Sequence, residues 1–257
     1  MKTRTLLLAA IVALFGASSL IAQQQPLRVF IRSSAKTHGP GLHDYPQFLA
    51  DWKKLLGERG ASVEGEPRFP TAVELARTDV VVIYAADGGI VSPLERAVLE
   101  PYLKRGGGLV TIHDGMCSND ASWFAGIVGA AKQHGERNWS AGVVKLHFVD
   151  AAHPIARGLA DFEIDDEAFF LLRTAPEMRA LATAPLPTTN AGEVVPQVWT
   201  YEKTLPGGQP YRSFVSMQGH VYANFAVPAY RDLLLRGIAW AGKRPVELLT
   251  AKVPAIK

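Results

Sequence analysis

A single cysteine, Cys117, occurs in 257 residues, so no internal disulfide can form. Stability must come from a buried core, and the chain is long enough to build one. Clustered basic charge is also missing. The formal net charge is +3, and two of those positive charges, Lys2 and Arg4, lie at the N-terminus. The remainder is close to neutral, so no nucleic-acid partner is expected. No apolar run after residue 15 is long enough for a membrane span. A phosphate cradle is lacking as well, because Gly106-Gly107-Gly108 precedes an apolar strand-like run rather than a helix. No His-Glu-x-x-His metal motif is found. Internal repeats and low-complexity linkers are absent too, and residues 23–257 read as one α/β domain.

The first residues carry a different signal. Lys2 and Arg4 precede the apolar run Leu6 to Phe15, and the small residues Gly16, Ala17, Ser18 and Ser19 follow. This is the pattern of a secretory leader over residues 1–22, cleaved after Ala22. The run is short for a retained membrane anchor. No cysteine lies near the cleavage zone, which argues against a lipoprotein. The expected location is periplasmic or extracellular, with no membrane attachment after cleavage.

The body opens as alternating strands and helices. Leu27 to Ile31 is a buried-strand candidate. Asp44 is expected to cap a helix starting near Pro46, with Phe48, Leu49, Trp52, Leu55 and Leu56 at helical spacing. Ala61 to Glu64 reads as a strand and Thr71 to Ala76 as a short helix. Asp79 to Ala85 is a continuous β-branched run, as in a strand covered on both faces. Ser92-Pro93-Leu94-Glu95 is a capping box that opens a helix through Lys104. The glycines end it, and the next strand runs to Ile112. This order predicts a doubly wound, mostly parallel sheet flanked by helices, of flavodoxin-like type. The second half is more mixed. It carries a helix over residues 120–128, several short strands between residues 143 and 217, and a last helix over residues 228–241.

Ligands gather at the carboxyl ends of strands in such sheets, and that selects particular side chains. His43-Asp44 lies in the loop after the first strand, His113-Asp114 directly after the central strand, and His220 at the end of a late strand. His134 sits in the polar stretch Lys132 to Arg137. In Asp165-Asp166-Glu167, apolar flanks favour Glu167 as a functional acid, and a solvated turn is expected for the two aspartates. His113, Asp114, Glu167 and His220 are the candidate catalytic residues. His43, Asp44, His134 and Trp139 are the candidate substrate contacts. His113, His134, Glu167 and His220 also have the chemistry of a divalent metal site, zinc for example. Without a metal the same groups would act as acid and base. His147 is expected to face solvent and His153 to serve a turn. Cys117 stands too late after its strand for a nucleophile elbow, with Asn119 where the elbow glycine belongs, and a packed thiol is expected.

These pieces together resemble the ThuA-like (trehalose utilisation) family. They are His43-Asp44, Gly106-Gly107 through Ile112-His113, His153-Pro154-Ile155 with Gly158-Leu159, Asp166-Glu167-x-Phe-Phe, Gly219-His220 and Leu235 to Ala241. The resemblance implies the class I glutamine amidotransferase-like fold without the amidotransferase cysteine. It also implies a role in catabolism of trehalose and related disaccharides by way of 3-keto sugars. Family members usually carry Tyr or Trp soon after the Asp-Glu pair. Here Phe169 and Phe170 stand there without a hydroxyl.

The expected function is therefore that of an exported carbohydrate-active lyase, isomerase or hydrolase, not a cysteine-dependent amidotransferase. The alternative is a non-catalytic periplasmic sugar-binding or accessory protein. The expected partner is a small carbohydrate, and the chain has the makings of a homo-oligomer.

Overall fold

The computed structural model describes residues 25–251, and the expected leader lies outside them. Twelve strands and five α-helices follow one another along this chain. The first half alternates: β1 (Arg28–Arg32), α1 (Tyr45–Gly57), β2 (Ser62–Glu66), α2 (Ala72–Ala76), β3 (Val80–Ile83), α3 (Pro93–Lys104) and β4 (Gly108–Ile112). A 3₁₀ turn over His113–Met116 leads to β5 (Cys117–Ser118), α4 (Ala121–Val128) and β6 (Ala130–Gln133). Then come β7 (Trp139–Phe148), β8 (Phe162–Phe169), β9 (Arg173–Thr174), β10 (Arg179–Pro185), β11 (Val194–Thr204) and β12 (Pro210–Ser216). The helix α5 (Pro228–Ala241) follows.

The main sheet has the order β2-β1-β3-β4-β12-β11-β10-β7-β8. Its first five strands run parallel. The last four are antiparallel, so the sheet is mixed where a mostly parallel one was expected. The core strands follow the reading from composition. All four residues of β3 are buried, as are all five of β4. The α3 capping box forms as expected, with the Ser92 N–H donating to Glu95 at 2.7 Å and the Glu95 N–H donating to Ser92 Oγ at 3.3 Å. Asp44 departs from expectation. It precedes α1 but makes no side-chain cap bond, because its carboxylate pairs with Lys36 instead.

Two geometric features position the site. First, β1 is flanked by β2 on one side and β3 on the other, so the chain reverses its winding there. In open α/β sheets this reversal opens a crevice at the strand ends. Second, β7 pairs with β10 only through His147 and Phe148. The remainder of β7, with β8 paired along it from Trp139 to Leu146, is free to curl away from the sheet. It curls far enough that Asp166, on the last strand in the order, hydrogen-bonds the backbone just after β12. Asp165 and Asp166 are therefore strand residues, not a solvated turn. Strand alternation leaves Asp165 exposed and turns Asp166 inward, where it is 2% exposed.

The helix α5 packs closely on β4. A Cβ at Gly108 would lie 2.2 Å from the Ala241 carbonyl oxygen, inside any permitted contact. Gly108→Ala should therefore lower unfolding stability by about 1–3 kcal/mol. Removing the α3 cap in Ser92→Ala should cost about 1 kcal/mol. Urea denaturation of both variants measures this, and an unchanged midpoint for Gly108→Ala would show that α5 is not packed as described.

Candidate active site

Three imidazoles converge at the carboxyl ends of β1, β4 and β12. His43 Nε2 lies 3.0 Å from His113 Nε2 and 2.8 Å from His220 Nδ1. Local backbone structure sets each one. His113 takes the first position after β4 with φ 49°, and His43 has φ 46°. Both are left-handed conformations that a histidine adopts only where the surroundings enforce them. The loop carrying His43 is stitched to the loop carrying His220. The His43 N–H donates to the His220 carbonyl at 3.0 Å, and the Tyr222 N–H donates to the Gly41 carbonyl at 2.8 Å. Gly219 has φ 148°, and a Cβ there would come within 2.9 Å of His113 Cβ. Glycine is what lets His220 follow so closely behind His113.

A backbone carbonyl fixes the tautomer of His113. His113 Nδ1 is 2.9 Å from the Met217 carbonyl, which can only accept, so Nδ1 carries the proton. His43 Nδ1 lies 3.5 Å from the Asp114 carboxylate and 3.2 Å from Thr37 Oγ1. The inward Nε2 atoms of the two rings face each other at 3.0 Å, and His220 Nδ1 lies against the same His43 atom. A shared proton or a cation fits that space. Burial, followed by repulsion from a charged His113, lowers His43 to about 3. Burial and the same neighbour lower His220 to about 4. The three side chains offer nitrogen atoms all within 4.8 Å of one another, the arrangement of a metal-ligating trio. A buried carbonyl or carboxylate behind the other ring nitrogen is the usual support of a ligating histidine.

Two carboxylates flank the trio with opposite tendencies. Asp114 is held below the ordinary aspartate range. Burial opposes this, but His113, His43 and a hydrogen bond from Tyr45 Oη at 3.0 Å outweigh it. Burial pushes Glu167 upward, against the pull of His113. Glu167 Oε2 lies 3.8 Å from His113 Nε2 and 3.6 Å from His220 Nδ1. Asp166 accepts N–H bonds from Gly219, His220, Glu167 and Asn224. It anchors β8 to the loop that bears His220. The Phe169 ring stacks on His113 with centroids 4.8 Å apart and forms an apolar wall there. The buried Lys132 amine sits over the same ring at 5.3 Å.

The structure thus gathers His43, His113, Asp114, Glu167 and His220. It does not bring His134 into the trio. That ring is paired with Asp87 at 2.7 Å, and His43 occupies the third imidazole position. Trp139 is 40% exposed at the start of β7, opposite Phe169, and Asp44 pairs with Lys36. Sequence reading did not single out Tyr45, the support of Asp114, although it directly follows His43-Asp44. It also missed His38, whose ring lies edge-on to His43 at 4.0 Å. Cys117 is buried, its thiol pushed well up by that burial and placed 3.5 Å from Asp114 Oδ1. The position directly after β4, where an elbow would present a nucleophile, carries His113 instead.

A family model described as ThuA, trehalose utilisation, matches residues 35–241, a span that includes all three histidines, Asp114 and Glu167. This chain belongs to the ThuA family. That membership gives it a carbohydrate-related role. A ThuA-like protein from Bacteroides uniformis superposes with a TM-score of 0.64 at 17% identity, covering 90% of this chain and 95% of that one. Another ThuA-like protein, from Parabacteroides merdae, gives 0.64 at 20% identity over 90% and 94%. A glutamine amidotransferase from Thermotoga maritima overlays more loosely, with a TM-score of 0.47 at 14% identity over 86% and 95%. No curated protein matches by sequence. Among the described residues of this ThuA protein, no helix is long and apolar enough to cross a membrane.

The depressed histidines make stability depend on pH. Unfolding restores His43 and His220 to their ordinary value of 6.5. Below that pH the unfolded chain binds protons that the folded chain refuses, so stability falls as pH drops from 6.5 towards 4. Urea midpoints of the chelator-treated protein should decline over this range, and less steeply in His43→Gln and His220→Gln. Equal slopes in all three proteins would show that the imidazoles are not shifted.

Proposed function

We propose that this ThuA protein is a carbohydrate-active lyase that eliminates the aglycone from a 3-keto-glycoside or 3-keto-disaccharide at the His43–His113–His220 centre. The observation that carries this is the imidazole trio, its nitrogen atoms all within 4.8 Å of one another, beside a carboxylate of raised pKa. A carbonyl at C3 acidifies the C2 hydrogen, and loss of that hydrogen builds negative charge on the carbonyl oxygen. A divalent metal held by His43 Nε2, His113 Nε2 and His220 Nδ1 would stabilise that charge as a Lewis acid.

The chain's own groups supply the rest. Glu167 is the base: burial raises its basicity, and it faces the same space as the trio. Asp114 stays ionised, orients His43 and balances the charge of a cation. The apolar Phe169 face limits water around His113. Trp139 offers an exposed ring for sugar stacking. Export through the 1–22 leader would place the substrate outside the cytoplasm.

The test combines metal content and turnover. Purified protein should hold about one equivalent of a divalent metal, and His113→Ala and His220→Ala should lose it. Wild-type protein should release nitrophenol from p-nitrophenyl 3-keto-glucoside, whereas Glu167→Gln should lose about 10²–10⁴-fold in kcat with its metal retained. Negligible metal in the wild type and both histidine variants removes the metal centre from this reading. Full activity in Glu167→Gln removes the base.

A further inference from the structure

Two histidine–aspartate pairs of the same length occur in this chain, and their settings differ. His147 Nδ1 lies 2.7 Å from Asp161 Oδ2 on the exposed face of β7, away from the strand ends that carry the trio. His134 Nδ1 lies 2.7 Å from Asp87 Oδ1, between the loop after β3 and the residue following β6. The second pair is fixed to the site wall. The His134 N–H donates to the Ser118 carbonyl at 2.8 Å, and the Gly88 N–H, next to Asp87, donates to the Asp114 carbonyl at 3.0 Å. Gly88 is wedged so tightly that a Cβ would lie 2.9 Å from the Gly115 Cα. Asp87 has φ 47°, a third non-glycine residue at a strand exit in the left-handed region, after His43 and His113. Strain at such a place points to a held side chain.

We propose that His134, oriented by Asp87, donates the proton that the leaving glycosidic oxygen needs. This rests on the elimination reading above. Asp87 accepts the Nδ1 proton and fixes the ring, and in the imidazolium form Nε2 carries a second proton, the one transferred, as in other carboxylate-oriented imidazoles. The half-exposed side chain leaves room for the departing sugar. Glu167 takes the C2 proton, and the C2–H electron pair becomes the C1=C2 bond. The C1–O pair passes to the oxygen, which takes the Nε2 proton of His134. The products are an unsaturated 3-keto sugar and a free alcohol. Glu167 then gives its proton to solvent and His134 regains one, with no net oxidation or reduction.

Leaving-group dependence tests this. Nitrophenolate departs without protonation, whereas methoxide does not. Turnover is measured on p-nitrophenyl and methyl 3-keto-glucosides. His134→Ala and Asp87→Asn should lose about 10²-fold or more in kcat on the methyl glucoside, and at least about 30-fold less than that on the nitrophenyl one. His147→Ala should match wild type on both. Equal losses on the two substrates, or none, overturn the assignment. So does the same leaving-group pattern appearing in His38→Ala instead. Wild-type protein inert on both substrates overturns the elimination reading and this assignment with it.

Discussion

Two imidazole rings held with their Nε2 atoms 3.0 Å apart are the constraint on which this site depends. Left free, the His43 and His113 rings would rotate apart. The Met217 carbonyl holds His113 from behind, and Asp114, itself held by Tyr45, faces the far nitrogen of His43. Proton uptake by His43 is resisted because its ring is buried and close to His113. Left-handed backbone at both residues adds local strain that the packed strands beneath must support.

The same environment separates the two nearby carboxyl groups. Asp114 touches two imidazoles and a phenol, and its charged form is favoured. Glu167 receives no hydrogen bond that offsets its burial, and its neutral form is favoured relative to an exposed glutamate. Pairs of acids pushed in opposite directions are how one site holds both a permanent anion and a base. Asp166, adjacent to Glu167 in sequence, has neither task. Its four N–H partners are structural and hold the curled β8 over the crevice.

Parts of this were legible in the sequence for local reasons. The β-branched run of β3, the capping box of α3 and the glycines before β4 each report on their own segment, and each formed as read. Placing His43, His113 and His220 at strand exits put them on one rim, because a parallel sheet aligns its carboxyl ends. What was not legible depends on long-range curvature. β8 stands last in the sheet order, yet its Asp166 and Glu167 reach the turn after β4 and the loop after β12. That reach follows from β7 holding β10 by two residues only, which no local pattern announces. His134 was misplaced for a similar reason. Its polar stretch fits a ligand, but the choice between the trio and Asp87 is made by where β6 pairs with β5.

The turn after β4 sets the character of the rim. In enzymes with a nucleophile elbow, a sharp, strained turn after a strand lifts a nucleophile out of the sheet. In this ThuA chain the residue at that turn is His113, with φ 49° and its side chain fully buried. The one thiol nearby lies four residues further on, turned into the core and bonded to Asp114, with its pKa driven up. An imidazole at the elbow cannot form the acyl-enzyme that a thiolate would, but it can ligate a cation or polarise a carbonyl. Two more imidazoles, delivered by the stitched loops after β1 and β12, make that substitution into a centre. The sheet's contribution is to aim three side chains at strand exits towards one point.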